Sequence, residues 1–129
     1  MTSELRVDNL KGSTTGGSIN VLGEGTSATT NLQQGLCKCW CQFDGSGTIA
    51  IDNSFNTSSL TDVGTGDYTV NITNTLSPGT GPFFCNANQP HSQDSSSDNA
   101  GVIRLFMRNS SHSAVDTERV HTGKFGDLA

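Results

Sequence analysis

Short runs of apolar–polar alternation recur along this chain every roughly 8–15 residues, each closed by a cluster of turn formers, as in all-β domains. Leu5 and Val7 alternate with Arg6 and Asp8, and Ile19 and Val21 with Ser18 and Asn20. The intervening KGSTTGG is rich in turn residues, so a β-hairpin is expected over residues 4–22. After TSATTNLQQGL, where Thr or Ser is expected to cap a short helical turn ended by Gly35, strands follow one another. They are CKCWCQF, TIAIDNSF, SSLTDVG, YTVNIT, FFCNA, GVIRLFMRN and a weaker last run near Glu118–His121. DGSG, GTGD and SPGTGP supply the reversals between them. No segment has the period of an amphipathic helix. The expected fold is therefore all-β: an antiparallel, jelly-roll-like β-sandwich preceded by an N-terminal β-hairpin and a short linker. Its parts are an N-terminal hairpin over residues 1–25, a linker or collar over 26–36, and the sandwich over 37–129.

Few large apolar groups are available to fill such a sandwich. Leu, Ile, Val and Phe number 27 of 129 residues, whereas Thr, Ser, Gly and Asn number 16, 16, 15 and 11. A small domain buries a small fraction of its surface even with an ordinary composition. Association with identical copies is the simplest way to bury more. A single hairpin is also marginal alone in water. Leu5, Val7, Leu10, Ile19 and Val21 are accordingly the candidates for attachment to another protein.

Charge excludes one class of partner. The net charge is −5 and the seven Lys and Arg are scattered, with no basic patch to neutralise phosphates, so no nucleic-acid partner is expected. The N-terminus MTSELRVDNLKG carries charges where a signal peptide needs an apolar stretch, and no later run is long enough to span a bilayer. Synthesis and assembly in the cytoplasm, without membrane insertion, are expected.

Cys37, Cys39 and Cys41 lie two apart, so in a strand all three project from one face. Zinc sites favour C-x2-C spacings and need four ligands, here only by recruiting Cys85 or a distant histidine. Buried, reduced thiols are the preferred reading over a metal site or a disulfide, and no metal or cofactor is expected. His91, His112 and His121 sit without a partnered motif, and no nucleophile elbow, H-E-x-x-H or phosphate loop occurs. Asp44, Asp52, Asp62 and Asp67 are the carboxylates to weigh for glycosidase or calcium chemistry, but turn formation accounts for Asp44, Asp62 and Asp67 more simply. No catalytic residue is assigned. Trp40, the single tryptophan, is expected to anchor the core between the sheets. Residues 88–100, NQPHSQDSSSDNA, read as an exposed polar loop, and Gln89, His91, Gln93 and Asp94 are its candidates for receptor contact.

Lys38-Cys39-Trp40, Phe43-Asp44-Gly45, Ser54-Phe55-Asn56, Ser58-Ser59-Leu60-Thr61-Asp62 and the run from Gly64 to Asn71 stand in a fairly specific order. That order resembles a recurrent module of tail-fibre and related virion proteins of marine and cyanobacterial phages. With ELRVDNLKG and TTNLQQGL upstream, the resemblance covers roughly residues 4–73. Cys39 and Cys41 depart from it, since small apolar residues are usual there. The resemblance implies a virion structural protein, not an enzyme: a homotrimeric tail fibre or appendage. Its expected partners are other virion proteins and a host-surface glycan or protein. A capsid decoration protein is the alternative, and a glycan-degrading domain the alternative from another class.

Overall fold

The computed structural model describes residues 3–16, 18–22, 28–77, 79, 81–87, 92–94 and 98–128. The chain divides into two units, Met1–Leu36 and Cys37–Ala129.

In the first unit β1 (Asn20–Leu22) pairs antiparallel with β2 (Thr29–Asn31), Val21 opposite Thr30. A single helical turn, α1 (Leu32–Gly35), follows. Asn31 caps it, its side chain accepting from the Gln34 amide at 3.2 Å, where Thr or Ser was expected. The Leu32 amide donates to the Ile19 carbonyl at 2.8 Å. A hairpin does precede the sandwich, but not the one expected from the two alternating runs. The run around Val21 pairs forward with Thr29–Asn31, and residues 4–10 lie in no strand. The cause is local. Gly12 and Ser18 amides donate to the Gly16 and Thr15 carbonyls, so the turn closes on itself and does not carry Leu5 and Val7 alongside Ile19 and Val21.

The second unit is a sandwich of two antiparallel sheets. Its strands are β3 (Cys37–Asp44), β4 (Ala50–Phe55), β5 (Thr57–Gly64), β6 (Asp67–Ile72), β7 (Leu76–Ser77), β8 (Phe83–Ala87), β9 (Ser92–Asp94), β10 (Asp98–Asn99), β11 (Val102–Arg108), β12 (Val120–Phe125) and β13 (Asp127–Leu128). One sheet has the order β4-β3-β12-β8; the other runs β5-β6-β11, with β10 and β9 sharing the far edge of β11. A short β13–β7 ladder stands apart. The chain changes sheet four times, between β4 and β5, between β6 and β8, between β8 and β9, and between β11 and β12, so the two layers interleave along the sequence.

Alternation decides what fills the space between the sheets. From β3 come Cys39, Cys41 and Phe43, from β6 Tyr68, Val70 and Ile72, from β11 Ile103, Leu105 and Met107, and from β12 Val120; Leu76 completes the cluster. The last expected strand is longer and more central than its weak alternation suggested. β12 lies between β3 and β8, with Thr122 and Lys124 buried beside Val120. The Lys124 ammonium donates to the carbonyls of Gly79 and Asn99 at 3.0 and 2.9 Å. The segment expected as an open loop over 88–100 is corrected too. β9 and β10 lie within it, paired to β11 through Met107–Gln93 and Ile103–Asp98.

Candidate functional site

On the inner face, the cysteine row packs as part of the core. Cys41 stands opposite Thr122, which stands opposite Cys85 on the far side of β12. All four cysteines are free thiols, and no group of three or more metal-ligating side chains occurs among the described residues. Burial pushes the Cys39 thiol up, the Cys41 thiol up to about 11 and the Cys85 thiol up to about 12. Two consequences follow from the sign. A buried thiol that stays protonated resists alkylation at pH 8, so Cys39, Cys41 and Cys85 should label far more slowly in the native than in the urea-unfolded protein. Below about pH 9 these thiols are protonated in both states and their contribution is fully present. As pH rises from the ordinary value of 9.0 toward the raised values of Cys41 and Cys85, about 11 and about 12, the unfolded chain alone releases these protons and stability falls. Urea midpoints at pH 8 and pH 10.5 measure this; an unchanged midpoint would contradict it.

At one end of the sandwich a tyrosine ties three segments together. The Tyr68 hydroxyl lies within hydrogen-bond distance of the Gly45 carbonyl and, at 3.0 Å, of the Asp116 carboxylate, which also accepts from the Gly66 amide at 2.8 Å. Burial first, and the Asp116 carboxylate next, raise the phenol well above its ordinary value, so it remains a donor throughout the neutral range. Removing the hydroxyl in Tyr68→Phe is expected to cost about 1–3 kcal/mol, because the buried Gly45 carbonyl then loses its partner. Equilibrium urea denaturation reads this out. Gly66 is held here at φ +65, and a Cβ on it would meet the backbone of Met107 and Val115 within 3 Å.

The acidic residues are dispersed. Asp44 accepts from the Ser46 amide and hydroxyl, both at 2.7 Å, which holds its carboxyl below the usual range. Asp62 accepts from the Gly64 amide at 3.0 Å. Asp44 serves the turn after β3, as expected. Asp62 instead lies within β5, at the irregularity before Gly64, and Asp67 opens β6. Asp67 holds Arg104 in a two-pronged ion pair at 2.9 and 2.7 Å on the outer face of the β5-β6-β11 sheet. There the Arg104 and Arg108 guanidinium groups lie 5.1 and 5.9 Å from the centre of the Phe106 ring. Nearby, Asn71 donates to the hydroxyls of Ser59 and Thr61 at 3.0 and 3.1 Å.

The outer face of the β4-β3-β12-β8 sheet has the opposite character. Strand register aligns Phe55, Trp40, Gly123 and Phe84 in one row across all four strands. Phe55, Trp40 and Phe84 are 52%, 36% and 47% exposed. Trp40 is thus not the core anchor that its identity suggested; the cysteines on either side of it point inward in its place. Gly123 lets the row lie flat, since a Cβ there would stand 2.5 Å from the Phe84 ring. Phe125 adds a ring 6.2 Å from that of Phe84. The adjacent row on the same face is Asn53, Gln42, His121 and Asn86.

No family model, curated protein or solved structure matches the chain. The candidate site is therefore the one that geometry defines, the Phe55–Trp40–Gly123–Phe84 row with the polar row of Asn53, Gln42, His121 and Asn86 beside it.

The attachment candidates fall in the N-terminal unit. Leu5, Val7, Leu10 and Val21 are exposed and Ile19 is half-buried. Among the receptor-contact candidates, Gln89 and His91 lie outside the described residues. Gln93 and Asp94 lie in β9, opposite Met107 and Phe106. Sequence reasoning missed the aromatic row. The signal was present in parity: Trp40 and Gln42 fall on the strand positions opposite to Cys39, Cys41 and Phe43.

Proposed function

We propose that this chain is a bacteriophage virion structural protein of the tail-fibre or appendage type. It acts by binding, as a homo-oligomer whose N-terminal unit attaches to another virion protein. The observation that carries this reading is the state of that unit. Among its described residues no apolar side chain is buried, while Leu5, Val7, Leu10, Val21, Leu22 and Leu36 are each about half exposed or more. A two-stranded ladder of three residues per strand does not hold such a segment in water by itself. A partner protein that covers those side chains does. The module-like order of residues 38–73 supports the phage setting. The sandwich then presents its strands and β9–β11 edge outward, where repeated weak contacts to a host glycan or protein gain strength from several copies.

Labelled antibody against the sandwich, applied to intact particles, tests the reading. Decoration of the tail or its appendages is the expected result. Decoration of the head surface would favour a capsid decoration protein, and absence from purified particles would remove the virion role. Introducing Glu at Leu5, Val7 and Leu10 together is expected to abolish incorporation while leaving the sandwich folded.

A further inference from the structure

We infer that the outer face of the β4-β3-β12-β8 sheet is where copies of this chain pack against one another, with the Phe55–Trp40–Gly123–Phe84 row at the centre of the contact. The inference deepens the homo-oligomer reading above and rests on it.

Three observations select this face and this occupant. The first is apolarity. Three large aromatic side chains, with Phe125 beside them, form a continuous exposed patch on a sheet whose other side is already the core. Contiguous exposed apolar surface of that kind marks an interface, and tryptophan and phenylalanine at the centre of a patch are typical of one. The second is charge. Each chain carries a net charge of −5, so copies repel one another in general. The two central rows of this face, Phe55, Trp40, Gly123 and Phe84 with Asn53, Gln42, His121 and Asn86, contain no Asp, Glu, Lys or Arg. An identical copy can approach here without burying a like charge, and the amides of the second row can pair with their counterparts across the contact. A charged foreign surface gains nothing from such a face. The third is contrast. On the outer face of the other sheet the Phe106 ring is flanked by the Arg104 and Arg108 guanidinium groups, and polar groups are already paired within the chain through Arg104–Asp67 and the Asn71–Ser59–Thr61 bonds.

Size decides the kind of assembly. Strands about 4.8 Å apart and about 3.3 Å of rise per residue give four strands of six residues a face of roughly 400 Å². That is about half of the roughly 800 Å² that each partner contributes to a stable pair. A closed ring, in which every copy meets two neighbours and adds its sheet edges to the contact, supplies the remainder.

Trp40 reports on the contact directly, being the single tryptophan. The full-length chain is examined by sedimentation over a range of concentrations, with acrylamide quenching of Trp40 followed in parallel. The expected result is a mass that is a small multiple of 13.5 kDa, with quenching that weakens as the assembly forms. The double substitution Phe55→Glu and Phe84→Glu is expected to weaken assembly more than about 100-fold, leaving a folded 13.5 kDa species by circular dichroism. Ser59→Glu with Thr61→Glu, an equal charge at two exposed positions of β5 on the other sheet, is the control and should leave the mass unchanged. If the double variant stays assembled, the face is overturned while the homo-oligomer reading stands. A wild type of 13.5 kDa at every concentration overturns both. Should the double variant fail to fold, the wild type decides: equal quenching of Trp40 in single and assembled chains overturns the inference, and protection on assembly upholds it.

Discussion

Phe43→Ala should remove about 3–5 kcal/mol from the stability of the sandwich, enough to leave much of the protein unfolded near 37 °C. The side chain is fully buried, and its ring meets that of Tyr68 edge to face at 5.4 Å. It is the only phenylalanine in a cluster of eleven buried residues that includes two cysteines, so little neighbouring volume exists to collapse into the cavity. The loss combines burial, the cavity and the aromatic pair, the last worth about 0.5–1.5 kcal/mol. Because the proposed assembly would contribute to apparent stability, wild type and variant must be compared at one protein concentration. Urea denaturation should show a lower midpoint at an unchanged slope. A loss below about 1 kcal/mol would mean that the interior repacks freely, contrary to the close packing of protein cores.

Phe43 also illustrates what could be read from the sequence. The strand existed in the pattern, and so did its neighbours from TIAIDNSF to GVIRLFMRN, because a period of two is imposed by backbone geometry and survives any tertiary context. The fold class followed from that periodicity and the turns. Which face turned inward did not follow from residue type. Trp40 has more surface to gain from burial than Cys39 or Cys41, yet its parity is that of Gln42, while theirs is that of Phe43. One strand cannot bury both sets, and the set that matches Tyr68, Val70 and Leu105 across the sandwich wins. Pairing partners were harder still. The run around Val21 had two possible mates, and hydrogen bonds inside the turn at Gly12–Ser18 favour Thr29–Asn31 over Leu5–Asp8. β9 and β10 carry almost no hydrophobic signal; they exist because β11 offers them an open edge, which composition does not record. The aromatic row was invisible for the same reason, since Phe55, Trp40 and Phe84 are brought together only by register.

Asn56→Ala is expected to cost nearly as much as the loss of Phe43, about 3–5 kcal/mol, although the residue is only half-buried. Asn56 is the single residue between β4 and β5, where the chain leaves one sheet for the other, and it turns with φ at +56. Asparagine tolerates that left-handed conformation; a Cβ without a compensating side chain costs roughly 1–2 kcal/mol there. Its amide also serves the backbone on both sides of the corner. The nitrogen donates to the carbonyls of Lys38 and Asn74 at 2.9 and 3.0 Å, and the oxygen accepts from the Asn74 amide at 2.7 Å. Three such bonds contribute about 0.5–1.5 kcal/mol each. The two contributions separate in a second variant. Asn56→Gly removes the same three bonds but relaxes the backbone, so it should be the milder change by about 1 kcal/mol. Were alanine and glycine to destabilise equally, the conformation at the corner would be carrying no cost, and the hydrogen bonds alone would hold the two sheets in their relation. Were both to be harmless, the corner would not be what holds the two sheets in their relation where β4 gives way to β5. The same measurement bears on the aromatic row, because Thr57, the next residue, donates its hydroxyl to the Trp40 carbonyl at 3.3 Å. A corner that loosens should therefore also loosen the strand that carries Trp40, and quenching of its fluorescence should rise in Asn56→Ala before the sandwich unfolds.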